Sequence, residues 1–178
     1  MIGLRRPQYG LLADLTVSTS GLAAGTDGGK LDVMDTIRSL EQGDWEQWEP
    51  LWQGYLDFYR TEVSEATTRH TFARLVDHEE GMFGLLAVDD AGNGVGLAHC
   101  IVHSTTWSSH PYCYLEDLFV SPAARGSDLG RDLLKETKRA SLERGAGRLY
   151  WHTQAFNGRA RSLYDVVAHP TSFVVYEM

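Results

Sequence analysis

Tyr114-Leu-Glu-Asp-Leu-Phe-Val-Ser-Pro-Ala-Ala-Arg-Gly-Ser-Asp-Leu-Gly-Arg-Asp-Leu-Leu134 reads as an apolar strand carrying two acids, a short arginine–glycine turn, and the start of an amphipathic helix. A strand that enters a helix through a tight turn leaves a cluster of backbone N–H groups at the helix start, and such a cluster suits a diphosphate. In Arg125-Gly126-Ser127-Asp128-Leu129-Gly130 the glycines permit close backbone approach, and Arg125 and Arg131 can add charge-assisted contacts. The hexapeptide has neither the Gly-Lys-Ser/Thr ending of a Walker loop nor the spacing of a dinucleotide fingerprint. Upstream, Glu116 and Asp117 suit proton removal or recognition of a cation. Together they predict a phosphorylated cofactor with chemistry beside it.

Outward from this stretch, periodicity supplies the remaining elements. A short strand is predicted from Asp32 to Leu40, with Val33, Ile37 and Leu40 as its apolar positions. Asp44 is placed as the N-cap of a helix reaching about Arg60, whose Trp45, Trp48, Leu51, Trp52, Tyr55 and Phe58 form one broad face, read as core packing. A second helix covers Glu65 to Asp77. Phe83 to Val88 and Val95 to His103 are strands joined by the turn-rich Asp89–Gly94, and Tyr112 to Val120 is the next strand. The long helix is expected from Arg125 to Arg144, stopped by Gly145 and Gly147. A strand from Leu149 to Thr153, a helix from Gly158 to Val167 and a final strand from Phe173 to Glu177 complete the order. This is an α+β (mixed α/β) pattern, a central mixed sheet flanked by helices. Residues 1–31, rich in Gly, Ser, Thr and Ala, are expected to be a flexible extension, and residues 32–178 the domain.

The 178 residues suffice for one domain with a real core, and no apolar run approaches the roughly 20 residues that cross a bilayer. Cys100 and Cys113, without metal-type spacing, read as reduced thiols of a cytoplasmic protein. A net charge of −8 argues against nucleic acid as a partner and favours a cationic one. His99 and His103 would lie about 13 Å apart along a strand, so no metal site is expected from them.

The strand, the arginine loop, the helix and the later Asn157-Gly-Arg-Ala160-Arg-Ser-Leu163-Tyr164 together resemble the GNAT N-acetyltransferase superfamily, from about Met34 to the C-terminus. The Tyr114–Val120 strand is similar to the diamine (spermidine/spermine) branch; Tyr150-Trp-His-Thr-Gln154 and the Asn157–Tyr164 segment resemble the histone/polyamine branch. The resemblance implies acetyl-CoA as co-substrate, held by Arg125, Gly126, Ser127, Asp128, Leu129, Gly130 and Arg131 at its pyrophosphate. It implies backbone donors at Leu118 and Val120, and Phe119, Asn157, Ala160, Leu163 and Tyr164 along the pantetheine arm, with Asn157 bonding the pantetheine amide. Tyr164 matches the family's acid for the leaving thiolate. An amine must be neutral to attack a thioester, and Glu116 is the first candidate to take its proton, Asp117 the second. Because neighbouring strand residues point to opposite faces, only one of the two is expected at the acetyl group. The diamine branch assigns Glu116 as base or water-holder and Asp117 to the cationic substrate. His152 is placed next to substrate.

Asp128 departs from the family, which usually has glycine there. At 5 Å, with an effective dielectric of 20, its charge would oppose a phosphate by about 3 kcal/mol before screening, unless it faces solvent or caps the helix. Three readings stay open. One is an enzyme acetylating a small cationic amine (polyamine, diamine or amino acid) by direct transfer in a ternary complex. The others are a protein lysine or N-terminal acetyltransferase and a non-catalytic module of the same fold. A homodimer, with Phe173–Tyr176 exchanged or at a sheet edge, is the expected assembly.

Overall fold

The computed structural model describes residues 36–178. The expected extension over residues 1–31, and the beginning of the predicted first strand, lie outside them. Five strands form one sheet in the order β1-β2-β3-β4-β5: Thr36–Ser39, Met82–Val88, Gly94–His103, Tyr112–Val120 and Arg148–Trp151. The first four are antiparallel, while β4 and β5 run parallel. A parallel pair needs a long crossover, which the helix α3 (Leu129–Glu143) supplies. The helices α1 (Trp45–Tyr59) and α2 (Glu65–Asp77) follow β1, and α4 (Gly158–Val167) follows β5. The architecture is the α+β arrangement that the sequence predicts.

Both faces of the sheet are buried, which explains the near-continuous apolar runs in β2 and β3. On one face Trp48, Leu51, Trp52, Leu56, Phe72 and Leu75 of α1 and α2 pack on Leu86, Leu97 and Phe119. On the other, Leu129, Leu133 and Leu134 of α3 pack on Phe83, Leu85, Ala98, Cys100, Cys113 and Leu115. The tryptophans of α1 are therefore core residues, as expected. Gly54 allows this closeness: a Cβ there would stand 2.9 Å from Cζ of Phe119. Both cysteines are free and fully buried, and burial pushes the Cys100 thiol up.

Four expectations need correction. Asp44 stands at the expected N-cap position of α1, but its side chain makes no capping bond; its carboxylate takes the Arg38 guanidinium through two 2.6 Å bonds and the Glu41 N–H at 2.8 Å. Arginine in reach outcompetes a weak capping bond and ties β1 to the start of α1. Residues 125–128, expected in the long helix, form its approach loop, because Gly126 adopts φ +96°, outside the helical region. Asp128 does not cap α3 with its side chain either. Finally, Phe173–Glu177 forms no strand, and the side chains from Phe173 to Tyr176 are exposed. Strand propensity needs a neighbouring strand to act on, and this stretch pairs with none among the described residues.

Candidate active site

The decisive local feature is a β-bulge in β4. Leu115 pairs with Cys100 and Asp117 with His99, so Glu116 is one extra residue between two consecutive pairs. A bulge interrupts strict alternation. Leu115 belongs to the core under α3, whereas Asp117 lies with His99 beneath the tryptophans of α1. Leu115 and Asp117, which strict alternation would put on one face, thus lie on opposite faces, and of the two acids Glu116 alone lines the cavity described below. Asp117 is buried, while Glu116 keeps contact with solvent with its carboxyl partly desolvated at the cavity wall.

Beyond Leu115, β5 no longer accompanies β4: their pairing ends at Leu115 with Trp151. The strands part, and the free edge of β4 opens into a cavity of about 460 Å³. Glu116, Leu118, Phe119 and Val120 of β4 line it, with Trp151 at the end of β5. Leu118 and Val120, expected as backbone donors, thus sit where β4 has lost its β5 neighbour while β3 still pairs on its other side. Of the other residues expected at the cofactor, Arg125, Gly126, Ser127, Asp128, Gly130, Arg131, Asn157, Ala160, Leu163 and Tyr164 also line the cavity. Leu129 does not: it is 3% exposed and belongs to the core. His152 lines the cavity and shares a 3.1 Å hydrogen bond between its Nδ1 and the Tyr114 hydroxyl. Asp117, expected to touch substrate, is absent from the lining.

At the loop, Arg125 donates through Nε to the carbonyl of Val120 at 3.1 Å and lies over the Phe119 ring. The Ser127 hydroxyl donates to the Ala124 carbonyl and accepts the Leu129 N–H at 3.3 Å, a capping task expected of Asp128. Asp128 instead pairs with Arg131, Oδ1 to Nη1 at 2.7 Å, on the exposed first turn of α3. A diphosphate bound at this loop would compete with Asp128 for the same guanidinium. Asp128→Gly is accordingly expected to lower the KM for acetyl-CoA about 3–10-fold, since an exposed ion pair is worth under about 1 kcal/mol and a nearby like charge is removed as well. Steady-state kinetics at two salt concentrations check this; an unchanged or higher KM would assign the pair to positioning Arg131.

Asn157 caps α4 by accepting the Ala160 N–H on its side-chain oxygen at 3.3 Å. Its carbonyl side is thus engaged locally, which leaves its amide N–H₂ as the donating side. Tyr164 packs against Trp151, ring centroids 5.3 Å apart, and burial pushes its hydroxyl up to about 12. It is a protonated donor at neutral pH. Burial, and then the neighbouring Asp117 charge, raise Glu116 above the ordinary carboxylate value of 4.5. A base with a raised pKa holds a proton better than an ordinary carboxylate does.

The sequence reading missed Tyr55, Phe58 and Tyr59, which form the α1 wall of the cavity. Their i, i+3, i+4 spacing is what core packing also produces, yet Phe58 is 51% exposed and Tyr59 38%. His99 was weighed only as a metal ligand. It is 2% exposed and engaged at both ring nitrogens.

Residues 39–166 match the model of the acetyltransferase (GNAT) family. The D-amino-acid N-acetyltransferase HPA3 of Saccharomyces cerevisiae is 34% identical over 142 residues, which span 79% of this chain and 88% of that protein. The uncharacterized N-acetyltransferase YhfO of Bacillus subtilis is 32% identical over 144 residues, 79% of this chain and 94% of that one. Among solved structures, the aminoglycoside N-acetyltransferase AAC(6')-Iy in complex with CoA superposes with a TM-score of 0.73 at 17% identity, covering 83% of this chain and 96% of that one.

Proposed function

The chain belongs to the acetyltransferase (GNAT) family and is an acetyl-CoA-dependent N-acetyltransferase, and from that premise we propose that its acceptor is the amine of a small molecule with a single cationic centre, an amino acid before a polyamine. The carrying observation is the make-up of the cavity: Glu116 and Asp128 are the acids in its lining, and Asp128 is paired with Arg131 at the loop end. One free carboxylate suits one ammonium, whereas a polyamine would ask for several. Around Glu116 stand Tyr55, Phe58 and Tyr59 of α1, an apolar wall for a compact side chain. The relative HPA3, by its name, acts on D-amino acids.

Transfer is direct, in a ternary complex. The ammonium gives one proton to Glu116, which returns it to solvent; the neutral nitrogen then bonds to the thioester carbon and gives its surplus proton to Glu116 as the carbon–sulfur bond breaks. Backbone N–H groups on the free edge of β4 stabilise the oxyanion, and Tyr164 protonates the departing thiolate. Arg125 and Arg131 hold the pyrophosphate.

A thiol-release assay with acetyl-CoA, D- and L-phenylalanine, D- and L-alanine, putrescine, spermidine and a lysine peptide tests the acceptor. The expected outcome is the highest kcat/KM on an amino acid. A clear preference for spermidine overturns the acceptor class, and silence with every amine despite CoA binding leaves the non-catalytic module.

A further inference from the structure

Where β4 bulges, two adjacent acids oppose one residue: Glu116 and Asp117 stand against His99, between the pairs Leu115–Cys100 and Leu118–Ala98. Both flanking pairs would hold equally in a second arrangement, with Glu116 opposite His99 and Asp117 as the added residue. The apolar pattern of the strand does not separate the two, since Leu115 and Leu118 keep their places against the α3 core in both. One acid must be turned under α1 and the other left at the cavity. The place under α1 is apolar: the rings of Trp48 and Trp52 stand 5.7 and 5.3 Å from that of His99. A carboxylate buried there is costly unless a donor meets it, so the choice of acid is a question of partners.

His99 supplies the donor. An indole N–H can only donate, so the 2.8 Å bond from Trp48 Nε1 to His99 Nε2 leaves the imidazole proton on Nδ1, 2.9 Å from Asp117 Oδ2. Trp48 is fully buried, His99 is 2% and Asp117 9% exposed. With both nitrogens engaged, the ring offers its Nδ1–H in one direction, at a reach that an aspartate on the opposite strand fills. Glutamate in the same place would bring one more methylene into the packing of Trp48 and Trp52. We propose that His99 is a positioning residue for the transfer reaction: held by Trp48, it selects Asp117 as the buried acid, sets the bulge at Glu116 and so delivers Glu116 to the acceptor amine. This rests on the reading of Glu116 as the base. No proton passes along Trp48, His99 and Asp117, which act by geometry alone.

His99→Leu leaves Asp117 without its donor, so both acids prefer the water of the cavity and the bulge divides between its two placements. The expected result is a fall in kcat of about 10–100-fold per CoA-binding site, the effect of a misplaced reacting group, with the affinity for CoA within about 3-fold. Counting sites by CoA calorimetry removes any share of unfolded protein. Adding Asp117→Leu restores the selection without restoring a hydrogen bond, because an apolar residue takes the buried place and returns Glu116 to the cavity. The double variant should thus recover to within about 5-fold of the parent, as an apolar pair substitutes well for a buried polar one. If Asp117 instead touched substrate or acted through its charge, the second substitution would deepen the loss. A double variant no faster than His99→Leu therefore overturns the proposal. Should His99→Leu not fold, Asp117→Leu alone decides: kcat within about 5-fold of the parent supports the proposal and a larger loss overturns it. Backbone NMR tests the placement without turnover. Cross-strand Overhauser contacts to position 99 should come from position 117 in the parent, from 116 and 117 together in His99→Leu, and from 117 again in the double variant. Contacts from 117 alone in His99→Leu overturn the selection. The expected contacts, beside a Glu116→Gln enzyme as fast as the parent, uphold the selection of the buried acid and remove the base reading instead.

Discussion

Glu116→Gln should lose about 10²–10³ in kcat at pH 7.5, with the KM for acetyl-CoA nearly unchanged and the fold intact. The magnitude is that of a positioned general base, and the isosteric amide keeps the shape of the bulge while abolishing proton acceptance. The split matters. A carboxylate that only attracted an ammonium would raise the amine KM and spare kcat, because uniform binding is what it would have supplied. Raising the pH gives a second discriminator. Near pH 7 the α-amine of a free amino acid, although less basic than a lysine side chain, is still mostly protonated. The variant can use only the amine that is already neutral, so its kcat should climb towards pH 10 and the gap to the parent should narrow.

The same substitution carries a stability prediction of opposite sign. Burial and Asp117 raise Glu116 above its ordinary 4.5, so the folded state prefers the protonated form. Its contribution is fully present below the unfolded value and is lost as pH rises through the raised folded value. At pH 8 the parent thus carries an ionised carboxylate that the fold disfavours, and Glu116→Gln should melt at or above the parent. A melting temperature that drops at pH 8 and recovers at pH 4.5 would contradict that sign. Holding a strained charge at the reaction centre is a stability concession made for activity.

The elements were legible from the sequence wherever one segment carried its own instructions. Glu65–Asp77, Tyr112–Val120 and Gly158–Val167 begin and end where periodicity and punctuation place them. Ser64, whose hydroxyl accepts the Thr67 N–H at 3.1 Å, marks the start of α2 in the same local way. What escaped depends on partners far along the chain. Alternation along β4 cannot reveal that Glu116 is an added residue, because a bulge is defined only against the register of β3. Nor can it tell that His99 meets Trp48, 51 positions away. Tyr55, Phe58 and Tyr59 continue the helical stripe of Trp48 and Trp52, yet the sheet beneath them parts at Leu115, so the same stripe is core at one end and cavity wall at the other. Phe173–Tyr176 errs in the reverse direction: it has the composition of a strand and pairs with no strand among the described residues.

Tyr164→Phe is the second large effect, expected to lower kcat about 10²-fold near pH 7 with both KM values within 2–3-fold. The ring is retained, so its contact with Trp151 and its place beside the α3 core persist, and only the hydroxyl is lost. That hydroxyl is pushed up to about 12 by burial, which leaves it protonated throughout the working range and able to meet a thiolate as it forms. A thiol has an ordinary pKa of about 8.5. Below that value the departing sulfur gains from a proton delivered in the transition state; above it the thiolate is stable in water and the donor matters less. The deficit of the variant should therefore shrink as pH rises from 7 to 9.5, and it should shrink also with acetyl esters of more acidic thiols. If Tyr164 served packing alone, Tyr164→Phe would leave kcat within 2-fold at every pH, while Tyr164→Ala would lower the stability by the cost of an aromatic cavity, about 3–5 kcal/mol at most for a group that is only partly buried. The pH trend separates a donor from a wedge, because a packing residue has no reason to follow the leaving group.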